Sequence, residues 1–187
     1  MSGTMPPAAM SEAPELALAR AQAAGQAKRF GEAAGICNDV LAASPDNPAA
    51  LALLGMISHT GDPERGVLML ERAIGLRAGV AGWYANLSAL YRMIYRLQDA
   101  LRVGKEAIRL EPQNADHLVS ISLVFADLDD REEAIACLLR AVGCAPTTLM
   151  RIWRSVRTYW RWGSSSQAGS STSGATRPRP PKARCRK

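Results

Sequence analysis

Residues 97–114 read LQDALRVGKEAIRLEPQN, and two further stretches repeat their plan: FGEAAGICNDVLAASPDN at 30–47 and REEAIACLLRAVGCAP at 131–146. Each has an acidic residue near its start, then an alanine, then apolar residues at helical steps, and a proline at or near its end. A fourth stretch, PERGVLMLERAIGLRAG at 63–79, matches with Ala78 in the proline's place. The markers Pro45, Ala78, Pro112 and Pro146 lie 33, 34 and 34 residues apart. A period that regular predicts a repeat array.

Ahead of each stretch stands another helical segment: ELALARAQAAGQA, AALALLGMISHT, AGWYANLSALYRMI and ADHLVSISLVFADL. Tyr84, Leu87, Tyr91 and Ile94 show the three- and four-residue steps that give a helix one apolar face. Turn-forming runs such as TGDPE and DLDDREE separate the two helices of a pair, and the prolines fall between pairs, where a helix cannot continue. The pattern predicts eight helices of roughly twelve residues, paired as antiparallel hairpins over about 14–47, 48–80, 81–114 and 115–146. Aromatic residues make up only 5% of the chain, so alanine and leucine must supply most of the packing surface, as closely packed helices allow.

With Tyr84, Leu87, Tyr91, Ala100, Ala107 and Pro112 in its third unit, the chain resembles the tetratricopeptide repeat (TPR) family. The second unit matches through Leu54, Gly55 and Ala73, with one residue missing from its inter-helix turn. The fourth matches through Leu118, Ile121, Phe125, Ala134, Ala141 and Pro146. The first is weakest: Ala33, Leu41 and Pro45 fit, but Arg20 stands where leucine is usual. The resemblance implies an all-α, right-handed α-solenoid over residues 14–146. Each hairpin in such a stack buries its apolar face only against its neighbours.

The resemblance also implies a concave face lined by the first helix of each hairpin. Carried onto this chain, its groove positions are Ala49, Ala52, Met56, His59 and Thr60 in the second unit. In the third they are Gly82, Ala85, Ala89, Arg92 and Met93, and in the fourth Asp116, Val119, Leu123, Ala126 and Asp127. That lining is small and apolar with few charges, suited to an extended peptide or a partner helix. Affinities near micromolar, about −8 kcal/mol, are ordinary for it. Two specialised uses of the fold fit poorly. Where some family members clamp a terminal carboxylate with lysine and asparagine, this chain has alanine and methionine. A backbone-gripping asparagine ladder would need more than Asn86, because Leu53 and Ser120 hold the equivalent places.

No catalytic constellation or cofactor site is expected. His59 and His117 are single histidines in different units, and Cys37, Cys137, Cys144 and Cys185 show no C-x-x-C spacing. Asp127, Asp129, Asp130, Glu132 and Glu133 lack the glycine and the alternating oxygens of a calcium loop, and read as a solvated turn before a helix. The start, MSGTMPPAAMSEAPE, has neither the basic nor the apolar region of a signal peptide, and residues 1–13 are expected to be disordered. No run approaches eighteen apolar residues. The expectation is a soluble, cytoplasmic bacterial protein that is not an enzyme and takes a protein or peptide partner rather than a small-molecule substrate.

The net charge of +6 averages two unlike regions. Residues 1–150 hold thirteen basic and all seventeen acidic residues, a net of −4, whereas 151–187 hold eight arginines, two lysines and no acid, a net of +10. Nucleic-acid or membrane binding could therefore rest only on the basic tail, 147–187. Its core, RIWRSVRTYWRWG at 151–163, carries three of the four tryptophans, and a Ser- and Pro-rich run of disorder-like composition follows.

A frameshifted remnant accounts for that change. Codons formed across Tyr159–Trp160 and Trp162–Gly163 must read leucine and glycine, and those between read Ala or Glu, then Leu, Met or Val. The forced glycine falls where a fifth unit would turn, and synonymous codons allow DNADAHLALGQNLLAMGEFEPGWI. That string resembles the repeats preceding the catalytic domain of bacterial O-linked N-acetylglucosamine transferase-like enzymes. It raises the alternative of a truncated substrate-recognition region without the sugar-transferring part. A selected Arg/Trp tail and a capping helix over 147–162 remain open.

Overall fold

The computed structural model of the chain describes residues 13–145. Apart from Ala13, the start expected to be disordered falls outside them, and so do Pro146 and the basic tail with all three readings of it. Regular structure among the described residues is helical throughout. It comprises α1 (Pro14–Gln26), α2 (Phe30–Ala43), α3 (Pro48–Ile57), α4 (Pro63–Leu76), α5 (Ala81–Met93), α6 (Leu97–Leu110), α7 (Ala115–Asp127) and α8 (Arg131–Cys144). The helices pair as α1–α2, α3–α4, α5–α6 and α7–α8, and each hairpin packs on the next through α2–α3, α4–α5 and α6–α7.

The helix starts follow from short polar side chains and prolines. Pro14, Pro48 and Pro63 occupy first turns, where a missing N–H costs nothing. Asn47 accepts hydrogen bonds from the Ala49 and Ala50 N–H groups at 3.1 Å, Asp62 from Arg65 at 2.9 Å and Asn114 from Asp116 at 3.0 Å. Asp130 accepts from the Glu133 N–H at 3.3 Å, and Glu132 and Glu133 fill the first turn of α8 beside the positive end of its dipole. The acidic run thus starts a helix.

Three of the four hairpins turn in one way. Lys28, Tyr95 and Asp129 take φ values of 61°, 59° and 60°, in the left-handed region. The next N–H, of Arg29, Arg96 and Asp130, donates to the carbonyl of Ala24, Tyr91 and Phe125, each at 2.9 Å. This arrangement satisfies carbonyls left open at a helix end, and it usually places glycine at the left-handed position. The second hairpin is the short one. There α3 tightens into a 3-10 turn over Ser58–Thr60, and the Asp62 N–H donates to Ser58 at 2.9 Å. His59 and Thr60 therefore lie on that turn, beyond the end of the α-helix.

Small residues set how closely the helices approach. Ala21, Ala33, Ala50, Ala73, Ala100 and Ala141 are fully buried. At Gly55 and Gly66 the backbones of α3 and α4 touch. A Cβ on Gly55 would stand 2.9 Å from the Gly66 carbonyl oxygen, and one on Gly66 would stand 2.8 Å from that of Gly55. In the third hairpin Ser88 replaces the glycine, and its buried hydroxyl donates to the Ala100 carbonyl at 2.8 Å. Gly104 leaves room for it, because a Cβ there would meet the Ser88 oxygen at 2.9 Å. Around these crossings Leu51, Val67, Leu70, Leu87, Leu90, Tyr91, Val103 and Val124 form the largest apolar cluster.

Two substitutions test this packing. Gly66→Ala should cost about 1–3 kcal/mol in urea unfolding, because backbone must yield. Gly75→Ala on the same helix meets nothing within 4 Å, so it should gain about 0.4–1 kcal/mol instead. Tyr95→Gly relieves left-handed strain of about 1–2 kcal/mol against the entropy glycine costs, and should raise the melting temperature.

Candidate functional site

The first helices of the hairpins share one face. α1 touches α3 and α5 touches α7, while the second helices of neighbouring hairpins make no comparable contact among the described residues. A stack drawn together on the first-helix side curves toward it. Two side-chain contacts run along this face between hairpins. Asn86 Nδ2 donates to Met56 Sδ at 2.7 Å, and Arg92 Nη1 pairs with Asp127 Oδ2 at 2.9 Å.

Most of the expected lining is open to solvent. His59, Thr60, Ala89, Met93, Asp116 and Asp127 are exposed, and Ala49, Met56, Gly82, Ala85, Asn86, Arg92, Val119, Leu123 and Ala126 are half-buried. Ala52 is the correction. It is 1% exposed and belongs to the core with Leu51, Val67 and Leu87, because a methyl group is too short to emerge between larger neighbours. The polar members also differ from a list of independent contacts. Arg92 and Asp127 bind each other, Asn86 is engaged by Met56, and His59 Nδ1 donates to the Met56 carbonyl at 2.7 Å.

Sequence reading missed a pocket at the other end of this face. Gln22, Gly25 and Gln26 of α1, Leu53, Met56 and Ile57 of α3, and Phe30 line an open cleft of about 310 Å³ between the two helices. The His59 ring stands edge-on to Phe30, with centroids 5.6 Å apart and planes at 85°. The first unit matched the repeat pattern least well, so its groove positions carried no signal. Phe30 begins a second helix, and only the structure turns it toward the groove.

Three buried groups titrate away from their ordinary values: Tyr91, Cys37 and Cys137, whose thiol burial pushes up. Tyr91 donates its hydroxyl to Glu71 and lies under the Arg96 guanidinium, 4.7 Å from the ring centre. Burial first, then the Glu71 carboxylate, push its hydroxyl up to about 12. Burial pushes the Cys37 thiol up to about 11. The nucleophilic form is the thiolate, so this thiol is inert at neutral pH. Among the described residues no group of three or more His, Cys, Asp or Glu side chains could hold a metal ion, and no helix is long and apolar enough to cross a membrane.

Known structures share this arrangement of hairpins. TTC0263, a thermophilic TPR protein of Thermus thermophilus, is 24% identical over 77% of this chain and 83% of its own, with a TM-score of 0.68. The chain has the TPR fold. MamA is similar at 23% identity over 77% of this chain and 84% of its own, with a TM-score of 0.64. YrrB, a TPR protein with an unusual peptide-binding site, is similar at 19% identity over 79% and 76%, with a TM-score of 0.65. No protein-family model and no curated protein matches the chain.

Tyr91 and Cys37 are neutral when protonated, and folding favours that form. Their contribution is therefore complete below the ordinary values of 10 and 9, and is lost as pH rises through about 12 and about 11. The urea midpoint should fall across that alkaline range, and Tyr91→Phe should flatten its upper part.

Proposed function

We propose that the chain is a non-catalytic scaffold that binds a protein or peptide segment along the shared face of its first helices. The supporting observation is that face itself. The second, third and fourth hairpins turn mostly small or apolar, solvent-open side chains to one side, and the Arg92 and Asp127 charges neutralise each other. A surface of that kind suits an extended chain or an amphipathic helix better than a charged small molecule. The TPR fold of the similar structures and the peptide-binding site named for YrrB are consistent with this. No cofactor and no substrate enter this reading. Its compartment is a reducing one, the cytoplasm, where the buried thiols Cys37 and Cys137 stay reduced.

The second reading, a truncated substrate-recognition region of a TPR-containing glycosyltransferase, rests on the alternative-frame string across residues 146–170. The similar structures named above lend it no support. The nucleotide sequence tests it: codons for 147–163 that encode no repeat-like helix in either other frame remove it.

The scaffold reading is tested by selecting a displayed random-peptide library on the full chain. Enriched peptides should bind near micromolar. Ala89→Arg with Leu123→Arg should weaken them at least tenfold with an unchanged melting temperature, while Leu68→Arg on the exposed face of α4 should not. Loss of binding through Leu68→Arg alone would place the partner elsewhere.

A further inference from the structure

Resting on that groove reading, we infer that the α1–α3 pocket is the anchor subsite for one bulky apolar side chain of the bound segment, of the leucine or phenylalanine class, with an acidic residue beside it. The lining disfavours a charged anchor. None of Gln22, Gly25, Gln26, Phe30, Leu53, Met56 and Ile57 is ionisable, so a charged group inside would lose its water without gaining a counter-ion. Phe30, Met56 and Ile57 supply an aromatic ring, a polarisable thioether and a branched aliphatic wall, the surfaces on which a large apolar side chain gains most. About 310 Å³ is at the small end of ligand pockets, the right scale for a single side chain and its backbone and too small for a packed helix face. Gln22 and Gln26, one helical turn apart on α1, carry amides that can both donate to and accept from the backbone of an extended segment.

The charge in the turn between Gln26 and Phe30 selects the neighbour. Lys28 and Arg29 follow Gln26 closely, in the turn that leads to Phe30. Arg29 is paired with Glu32 at 2.8 Å, whereas Lys28 is exposed and no ion pair engages it among the described residues. The turn fixes its backbone at φ 61°, and its long side chain stays free to reach a bound group. A carboxylate next to the anchor would meet that ammonium group, and a basic neighbour would be repelled.

Gly25 gives a test that does not depend on damaging the fold. A Cβ there meets nothing within 4 Å, so Gly25→Leu should fill the pocket from within while improving the helix propensity of α1. The library-selected peptides should share a leucine, phenylalanine or tryptophan adjacent to Asp or Glu. Gly25→Leu should raise the melting temperature and weaken the enriched peptide at least tenfold. Lys28→Glu should weaken it several-fold, and more at low salt than at high salt. With labelled methionine methyl groups in the unmodified chain, the peptide should shift Met56 more than the exposed Met93. Peptides that bind with unchanged affinity to Gly25→Leu but are lost with Ala89→Arg and Leu123→Arg would overturn this subsite and leave the groove reading intact. A library that yields no binder, or binders indifferent to every variant on this face, would overturn both.

Discussion

Everything in this molecule depends on how closely two helix backbones can lie. α3 meets α4 at Gly55 and Gly66, where even a methyl group would stand within 3 Å of the opposite carbonyl oxygen. The same approach is made with alanines elsewhere, and in the third hairpin with a serine accommodated by the missing side chain of Gly104. Close crossings make the hairpins thin, and thin hairpins stack with first helices in register along one side. The binding face is a consequence of that stacking.

The stack has no single centre. The largest apolar cluster joins the second and third hairpins around Leu70 and Tyr91 and reaches Val124 of the fourth, while separate clusters hold the first hairpin to the second and the fourth to the third. Among the described residues the end hairpins have a neighbouring hairpin on one side only, and α8 leaves Ile135 and Leu139 exposed. In such an array stability is a sum over units and their contacts, so the middle must hold more firmly than the ends.

The fold was legible in the sequence because its determinants are local and recur. The spacing of Pro45, Ala78, Pro112 and Pro146, and the alanines at matching places in each unit, state both the hairpin and its repetition. Even the short second turn was visible as a missing residue, and it emerges as the 3-10 segment carrying His59. The site was legible only in part, because exposure depends on neighbours. Ala52 holds a groove position yet is covered, Arg92 and Asp127 spend their charges on each other, and the α1–α3 pocket draws Phe30 from outside the repeat's groove pattern. Side-chain pairing between units 34 residues apart leaves no mark in either unit alone.

Amide hydrogen exchange, followed segment by segment in the full chain, reads that distribution of stability most directly. The stacked-hairpin account predicts protection over all eight helices, greatest in α4, α5 and α6 and declining toward α1 and α8. Residues 81–110 exchanging as fast as the turns, or α1 and α8 being protected as strongly as the centre, would contradict it.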